Sequence, residues 1–354
     1  MKLPTDEQYM QRCFDLARQG AGFVSPNPMV GALLVHQDRI IGEGFHQAYG
    51  QAHAEVNAVR SVSAADQKLL SDSTLYVSLE PCCIFGKTPP CTNLIIENKI
   101  PRVVISCLDQ TPGVAGQGVS ILEAAGVEVT VGVLKEQGQE LARIRNTFVV
   151  EHRPYVLLKY AQTTQGVFAP QPARQQWITG PYTQRLVHRW RQHTDAILVG
   201  PTTATVDDPA LTNRYFNRGQ QPLRIVVDRN GRVPLHCRLF QDGGGTLLVT
   251  GHHNALSYPD HVERYAIDWQ EPWIPQLFAH LAEKKITHLT VEGGATMLKQ
   301  FIAGGLWDEA RVLIGSAAIA SGKEAPVIPT TPVQEAWIDT DHLFVYRNTG
   351  SGKR

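Results

Sequence analysis

Short apolar runs alternate with helix-length amphipathic segments along most of the chain, and this alternation constrains the fold more than any other feature. "VGALLV" and "IIGEGFH" are strand-like runs joined by the polar turn "HQDR". "HAEVNAVRSV" then reads as a helix, "STLYVSLE" as a strand, "TNLIIENK" as a helix and "RVVISCLD" as a strand with Cys107 in its middle. Alternation at these lengths builds a sheet with helices on both faces, an α/β fold. Ahead of these runs, "PTDEQYMQRCFDLARQGAG" sets Tyr9, Cys13, Leu16 and Ala17 at helical spacing behind the capping candidates Thr5 and Asp6. "SILEAAG", "VEVTVGVL" and the polar helix "KEQGQELARIRNTFVVEHR" follow.

Pro154 cannot continue that last helix, so a boundary is expected near residues 147–153, separating a domain at 1–148 from one at 153–354. The second part uses "AILVG", "LRIVVD", "TLLVT" and "THLTVEGG" as strands, and "PYTQRLVHRWRQH" and "IPQLFAHLAEKK" as helices. No sequence period relates the halves. Two different α/β domains are expected, a number that 354 residues suit.

Charge and cysteine use narrow the function. Lys+Arg at 33 and Asp+Glu at 33 cancel, which argues against a broad basic face for nucleic acid. The opening "MKLPTDEQYM" has no basic-then-apolar signal pattern, and no apolar run approaches the ~20 residues of a membrane span. A cytoplasmic protein acting on a small molecule is the expectation. In that compartment stable disulfides are rare and clustered cysteines more often bind metal.

That expectation bears on "LEPCCIFGKTPPC", which holds three of the six cysteines. With His53 at the head of a helix, Cys82 and Cys91 make one imidazole and two thiolates. This donor set suits zinc and leaves a fourth tetrahedral position open. Two thiolates cancel the metal's charge, so the drop in water pKa from about 15.7 toward about 7 benefits from a nearby base. Glu55, two residues after His53, is placed for that role. Nucleobase deaminases combine His, two cysteines and such a glutamate to direct water at an amidine carbon. Their usual spacing is C-x-x-C, whereas Cys82 and Cys91 here are separated as C-x8-C. Cys83 is expected to be a bystander, because adjacent side chains point different ways.

"SPNPMVGALLV", "GEGFH", "HAEVNA", "LEPC" and "GKTPPC" resemble the bifunctional deaminase/reductase family of riboflavin biosynthesis, and "QWITG", "TTATVDDPALT" and "VEGGATML" extend the likeness to the second half. The resemblance implies a cytidine-deaminase-like domain followed by a dihydrofolate-reductase-like domain. It implies zinc-dependent deamination of a diaminopyrimidinone ribosyl phosphate, then reduction of the ribosyl to a ribityl chain with NADPH. His53, Cys82 and Cys91 would hold the metal and Glu55 would move the proton. Asn27, His46 and Lys87 would meet the first substrate. In the second half, Gln175, Arg191, Leu211, Arg214 and Glu292 would meet substrate, with Lys159 catalytic. Gln162, Trp177, Thr203 and Asp207 would meet NADPH, together with the turn Gly294, Ala295 and Thr296.

Some of these assignments have support in the residues themselves. "VEGGATML" is a strand, a glycine turn and a helix start, whose free N–H groups favour a phosphate. Arg191 and Arg214 suit bidentate phosphate binding. Lys159 closes the run "YVLLK", facing either the ribose or solvent, and Trp177 is equally compatible with the core. Two positions depart from the family pattern. Ile84 stands where a histidine is usual, and Thr163-Thr164-Gln165-Gly166 stands where the family has Ser-Leu-Asp-Gly or close to it. An alternative keeps the deaminase active beside a second domain that binds nucleotide without reducing. Nucleic acid and membrane are not expected partners, and a homo-oligomer is left open.

Overall fold

In the computed structural model, which describes residues 5–86, 89–216, 221–251 and 256–350, Thr5 opens the first helix, α1 (Asp6–Ala17). Its hydroxyl accepts the Gln8 N–H while the Gln8 side chain accepts the Thr5 N–H, a reciprocal cap. The chain divides into two units, Met1–Arg153 and Pro154–Arg354.

The first unit continues with β1 (Gly31–His36), β2 (Arg39–Phe45), α2 (Ala54–Ser61), β3 (Thr74–Val77) and α3 (Cys91–Glu97), then β4 (Arg102–Ile105), α4 (Gln117–Ala124), β5 (Glu128–Val131) and α5 (Lys135–Glu151). Its sheet has the order β2-β1-β3-β4-β5, with β1 antiparallel to both neighbours and β3, β4 and β5 parallel. Side chains alternate across it as the pleat requires. Leu33, Val35, Tyr76 and Val104 pack with Tyr9, Met10, Cys13 and Phe14 of α1. Leu34, Leu75, Val77, Val103 and Ile105 face Ala54, Ala58, Ile95 and Leu122 of the other helices. Helices therefore cover both faces.

Close approach sets the position of α2. A Cβ added at Gly44 of β2 would lie 2.4 Å from the Ala58 nitrogen and 2.7 Å from the Ala54 oxygen, so only glycine lets the helix backbone come this near. Cys107 lies two residues past the end of β4 rather than inside it; its side chain is buried with Leu79 and Ala142.

The second unit contains β6 (Tyr155–Thr163), β7 (Val167–Pro170), α6 (Pro181–Gln192), β8 (Ala196–Val199), α7 (Pro201–Val206) and β9 (Leu223–Val227). After these come α8 (Arg238–Gln241), β10 (Thr246–Thr250), β11 (Val262–Ala266), α9 (Trp273–Glu283), β12 (His288–Gly293) and α10 (Ala295–Ala303). β13 (Glu309–Gly315), β14 (Gly322–Glu324), β15 (Gln334–Ile338) and β16 (Asp341–Arg347) complete it. The nine-stranded sheet runs β11-β10-β9-β8-β12-β6-β13-β16-β15, parallel through β13 and antiparallel at its last two strands. Val156, Leu158 and Leu198 face α9 and α10 through Leu277, Leu281, Leu298 and Phe301. Ile197, Val199, Val226 and Leu248 face Leu239 and Phe240 on the other side.

Lys159 does not close a strand. β6 continues to Thr163, because β13 pairs beside it with Arg311 opposite Lys159.

Candidate functional site

β1 and β3 run side by side, and the chain leaving β3 turns toward the start of α2. His53 is the N-cap of α2, with extended backbone, and Glu55 lies in the first turn. Cys91 is the first residue of α3, behind Pro90. Cys82 lies past the end of β3, which stops at Val77. Three segments distant in sequence thus converge. His53 Nδ1 lies 3.4 Å from Cys82 Sγ and 3.4 Å from Cys91 Sγ. One donor atom from each of the three residues lies within 4.8 Å of the others. The Cys91 N–H also donates to Cys82 Sγ at 3.3 Å, a contact suited to a thiolate.

Charges follow from this packing. The Cys91 thiol, the His53 ring and the Cys91 N–H hold the Cys82 thiol well below its usual range, against burial. Cys91, the other half of the pair, is pushed up by Cys82 and by burial. Burial first, and then the Cys82 charge, raise the Glu55 carboxyl. A proton carrier needs such a poised carboxyl. The donor set, one imidazole and two sulfurs beside a buried carboxyl that is not one of the donors, fits zinc.

Asn27 and His46 join this group. His46 Nδ1–H donates to the Ala52 carbonyl at 3.0 Å, which leaves Nε2 to accept the Asn27 amide at 3.1 Å. Burial lowers the His46 pKa, consistent with a neutral ring. The rings of His46 and His53 meet edge-on at 5.4 Å. Lys87 lies outside the described residues. Ile84 and Phe85 are 51% and 78% exposed, so neither packs into the core.

Sequence reading assigned no role to Glu80. Its buried carboxylate accepts four backbone N–H groups, from Asp109 and Gly116 on Oε2 and from Gly118 and Val119 on Oε1. All four partners lie 29 to 39 residues further along the chain, so no local pattern could have revealed them.

The second unit gathers its own charges. Arg191 on α6 grips Glu292 on β12 with two hydrogen bonds, Nε to Oε1 and Nη2 to Oε2, each 2.7 Å. Lys159 Nζ stands 3.9 Å from the same carboxylate. Burial would raise the Glu292 pKa, but Arg191 and Lys159 outweigh it and hold it at about 2. Burial lowers the pKa of Lys159, with Arg191 adding and Glu292 opposing. The Arg191 fork is thus taken by Glu292, not left free for a phosphate. Arg214 adjoins through His188, whose Nδ1 accepts the Arg214 N–H at 3.2 Å. His188, one turn before Arg191, is held at about 4 by burial, Arg191 and Arg214. Helical spacing from Arg191 could have found it. Leu211, at φ 49°, buries its side chain with Val199 and Ala204 in the core.

A cavity of about 330 Å³ collects Thr203, Asp207, Gly294, Ala295 and Thr296. Gly294 takes φ 77°, a left-handed turn that glycine favours, at the N-cap of α10. Gln175 donates to the Asp207 carbonyl at 3.3 Å. Asp207 itself has its pKa raised by burial. Trp177 and Gln162 do not line this cavity. Trp177 is 62% exposed, which removes it from the core, and Gln162 pairs with Ile314 along β6.

Comparison with known proteins places both halves. Residues 3–107 match the cytidine and deoxycytidylate deaminase zinc-binding region, and residues 154–345 match the RibD C-terminal domain. The riboflavin biosynthesis protein RibD of Aquifex aeolicus (strain VF5) is 37% identical over 319 residues, covering 90% of this chain and 88% of that one. The protein of the same name from Escherichia coli (strain K12) is 34% identical, covering 94% and 93%. A crystal structure of the deaminase/reductase of Thermotoga maritima superposes with a TM-score of 0.88 at 35% identity, covering 97% of this chain and 98% of the other.

Proposed function

The chain belongs to the RibD family, the bifunctional deaminase and NADP-dependent reductase of riboflavin biosynthesis, and from that premise we propose how its residues divide the two reactions. Residues 1–148 carry the zinc-dependent deamination of the diaminopyrimidinone ribosyl phosphate. Residues 153–354 carry the NADPH-dependent reduction of its ribosyl group.

In the first reaction His53, Cys82 and Cys91 hold the metal. Zinc, when bound, supplies Lewis acidity toward a water molecule. Glu55 takes the proton that this water loses and returns it to the departing amino nitrogen. The carbon–oxygen bond forms, the carbon–nitrogen bond breaks, and ammonia leaves. A carboxyl whose pKa is raised by burial can do both halves of that transfer. Asn27 and His46, fixed to each other, orient the substrate ring or ribose. The observation that carries this reading is the buried Glu55 carboxyl beside three converging donor atoms.

In the second reaction the cavity bounded by Thr203, Asp207 and the Gly294–Thr296 turn takes NADPH, which supplies a hydride when bound. The helix start there presents backbone N–H groups to a phosphate. Lys159, 3.9 Å from Glu292, gives its proton to the ring oxygen as the ribosyl carbon–oxygen bond breaks, and the hydride goes to that carbon. Arg191 keeps Glu292 ionised and in place, and Arg214 is the cation offered to the substrate phosphate.

The test supplies the diaminopyrimidinone ribosyl phosphate with and without NADPH and follows both products. Ammonia and the deaminated ribosyl compound should accumulate alone, and the ribityl compound should appear with matching NADPH oxidation when the cofactor is added. Deamination without any NADPH oxidation would instead support a second domain that binds nucleotide and does not reduce.

A further inference from the structure

We propose that Glu80 is a positioning residue for the metal centre, holding the Cys82 ligand by anchoring the chain just before it to the opening turn of α4. This inference rests on the reading of His53, Cys82 and Cys91 as zinc ligands.

Glu80 lies two residues before Cys82 and touches none of the three donors. Its backbone N–H donates to the Cys107 carbonyl at 3.0 Å, which ties the chain to the segment leaving β4. Its side chain accepts the N–H groups of Asp109 at 3.2 Å, Gly116 at 3.0 Å, Gly118 at 2.9 Å and Val119 at 3.4 Å. A buried carboxylate satisfied by four N–H donors at a helix start is held tightly, because hydrogen bonds to a charged acceptor are the strong kind. Packing locks the same joint from the other side. A Cβ added at Gly118 would lie 2.3 Å from the Pro81 carbonyl oxygen, so α4 presses on the residue between Glu80 and Cys82.

The consequence is directional. Cys91 is set by its own helix and His53 by the cap of α2, each on a regular element. Cys82 lies in neither strand nor helix. Its sulfur must still sit where the His53 ring and the Cys91 N–H meet it. The Cys82 carbonyl accepts the Thr92 N–H at 3.2 Å, which ties its far side to α3, and Glu80 fixes the stretch that enters it through backbone groups that cannot rotate away. Groups that orient metal ligands without binding metal typically change metal affinity or activity about 10–100-fold when altered.

The test compares Glu80→Gln and Glu80→Ala with Gly126→Ala in the full-length, zinc-loaded protein. Gly126 has φ 84° with open space around its Cβ position, so the alanine strains the far end of α4 without reaching Glu80. Three readouts are taken: thermal stability, zinc release to a chromophoric chelator, and the visible absorption of the cobalt-substituted site. Glutamine keeps one acceptor oxygen and turns an amide toward N–H groups, so it should release zinc about 10-fold faster, and alanine faster still, with shifted cobalt bands. Gly126→Ala should also lose stability yet release zinc at the parent rate with unchanged bands. If the Glu80 variants and Gly126→Ala, each measured at the same interval below its own Tm, release zinc alike and share the parent spectrum, Glu80 is only a structural staple and the proposal is wrong. An unmodified protein that binds no zinc would instead overturn the ligand assignment itself.

Discussion

At Cys82 the sulfur accepts the Cys91 N–H and meets the His53 ring at 3.4 Å, while the adjacent Cys83 lies outside the group of converging donors. If these are the zinc ligands, as proposed, removing either sulfur leaves two donors, too few for a tight site. Cys82→Ser and Cys91→Ser should therefore purify with almost no zinc, and Cys83→Ser with one zinc per chain. Metal analysis of the three decides it, and zinc loss from Cys83→Ser would break the assignment. Glu292 gives a second residue-scale test, with a definite sign. Its folded pKa, about 2, lies below the ordinary 4.5 because Arg191 and Lys159 overcome burial. A depressed carboxylate adds stability that is complete above the unfolded pKa and lost as acid protonates it. The gap corresponds to about 3 kcal/mol, lost as the pH falls from about 4.5 to about 2. Glu292→Gln should flatten that acid-dependent loss in denaturant melts of the second unit. At neutral pH the same variant should be about 3–5 kcal/mol less stable, since Arg191 and Lys159 are left uncompensated in a buried place.

Among the elements, α2 carries the cap residue His53 and the buried Glu55, and its seat on β2 depends on Gly44. A methyl group at Gly44 meets helix backbone at 2.4 Å, and backbone cannot rotate aside. Gly44→Ala should push α2 outward. With Glu55 in its proposed role, a displacement near 1 Å there costs about 10²-fold, so deamination should fall on that scale while reduction is unchanged. Equal loss in both activities would mean global unfolding instead. Elements of this kind were legible in the sequence because their signals are local. The helical spacing of Tyr9, Cys13 and Leu16, the paired strands around "HQDR", and a histidine opening a helix all lie within a few residues of each other. β13, β15 and β16 carry no such local signal. β13 is held by pairing with β6, some 150 residues earlier, and β16 by pairing with β13. From sequence Lys159 reads as a strand end for the same reason, since its neighbour Arg311 is supplied by β13. The grip of Arg191 on Glu292 spans 101 residues, and nothing near either one announces it.

On the scale of the whole molecule, each unit has its own sheet, its own apolar clusters and its own charged group. A change that only removes a proton carrier in one unit should therefore leave the other unit's chemistry untouched. Glu55→Gln keeps the side chain's shape and the three donors, so the protein should fold and retain zinc. Deamination should fall by about 10²–10⁴-fold or more, the range for loss of a general acid–base group. Reduction of the pre-deaminated ribosyl compound by NADPH should proceed at the parent rate. Lys159→Met should show the reverse, full deamination with little reduction. Mixing the two variants carries the argument further. If the deaminated compound leaves the first site into solution, each protein supplies the step that the other lacks, and the mixture should convert the starting diamine to the ribityl product after a short lag. The lag should shorten as the Glu55→Gln protein is increased, because that variant consumes the intermediate and brings its pool to steady state sooner, whereas more Lys159→Met protein should raise the final rate. Product formation with no lag would mean that the intermediate does not accumulate in solution. Loss of both activities in folded, zinc-loaded Glu55→Gln would mean that one group serves both reactions, and the two-site division would fail.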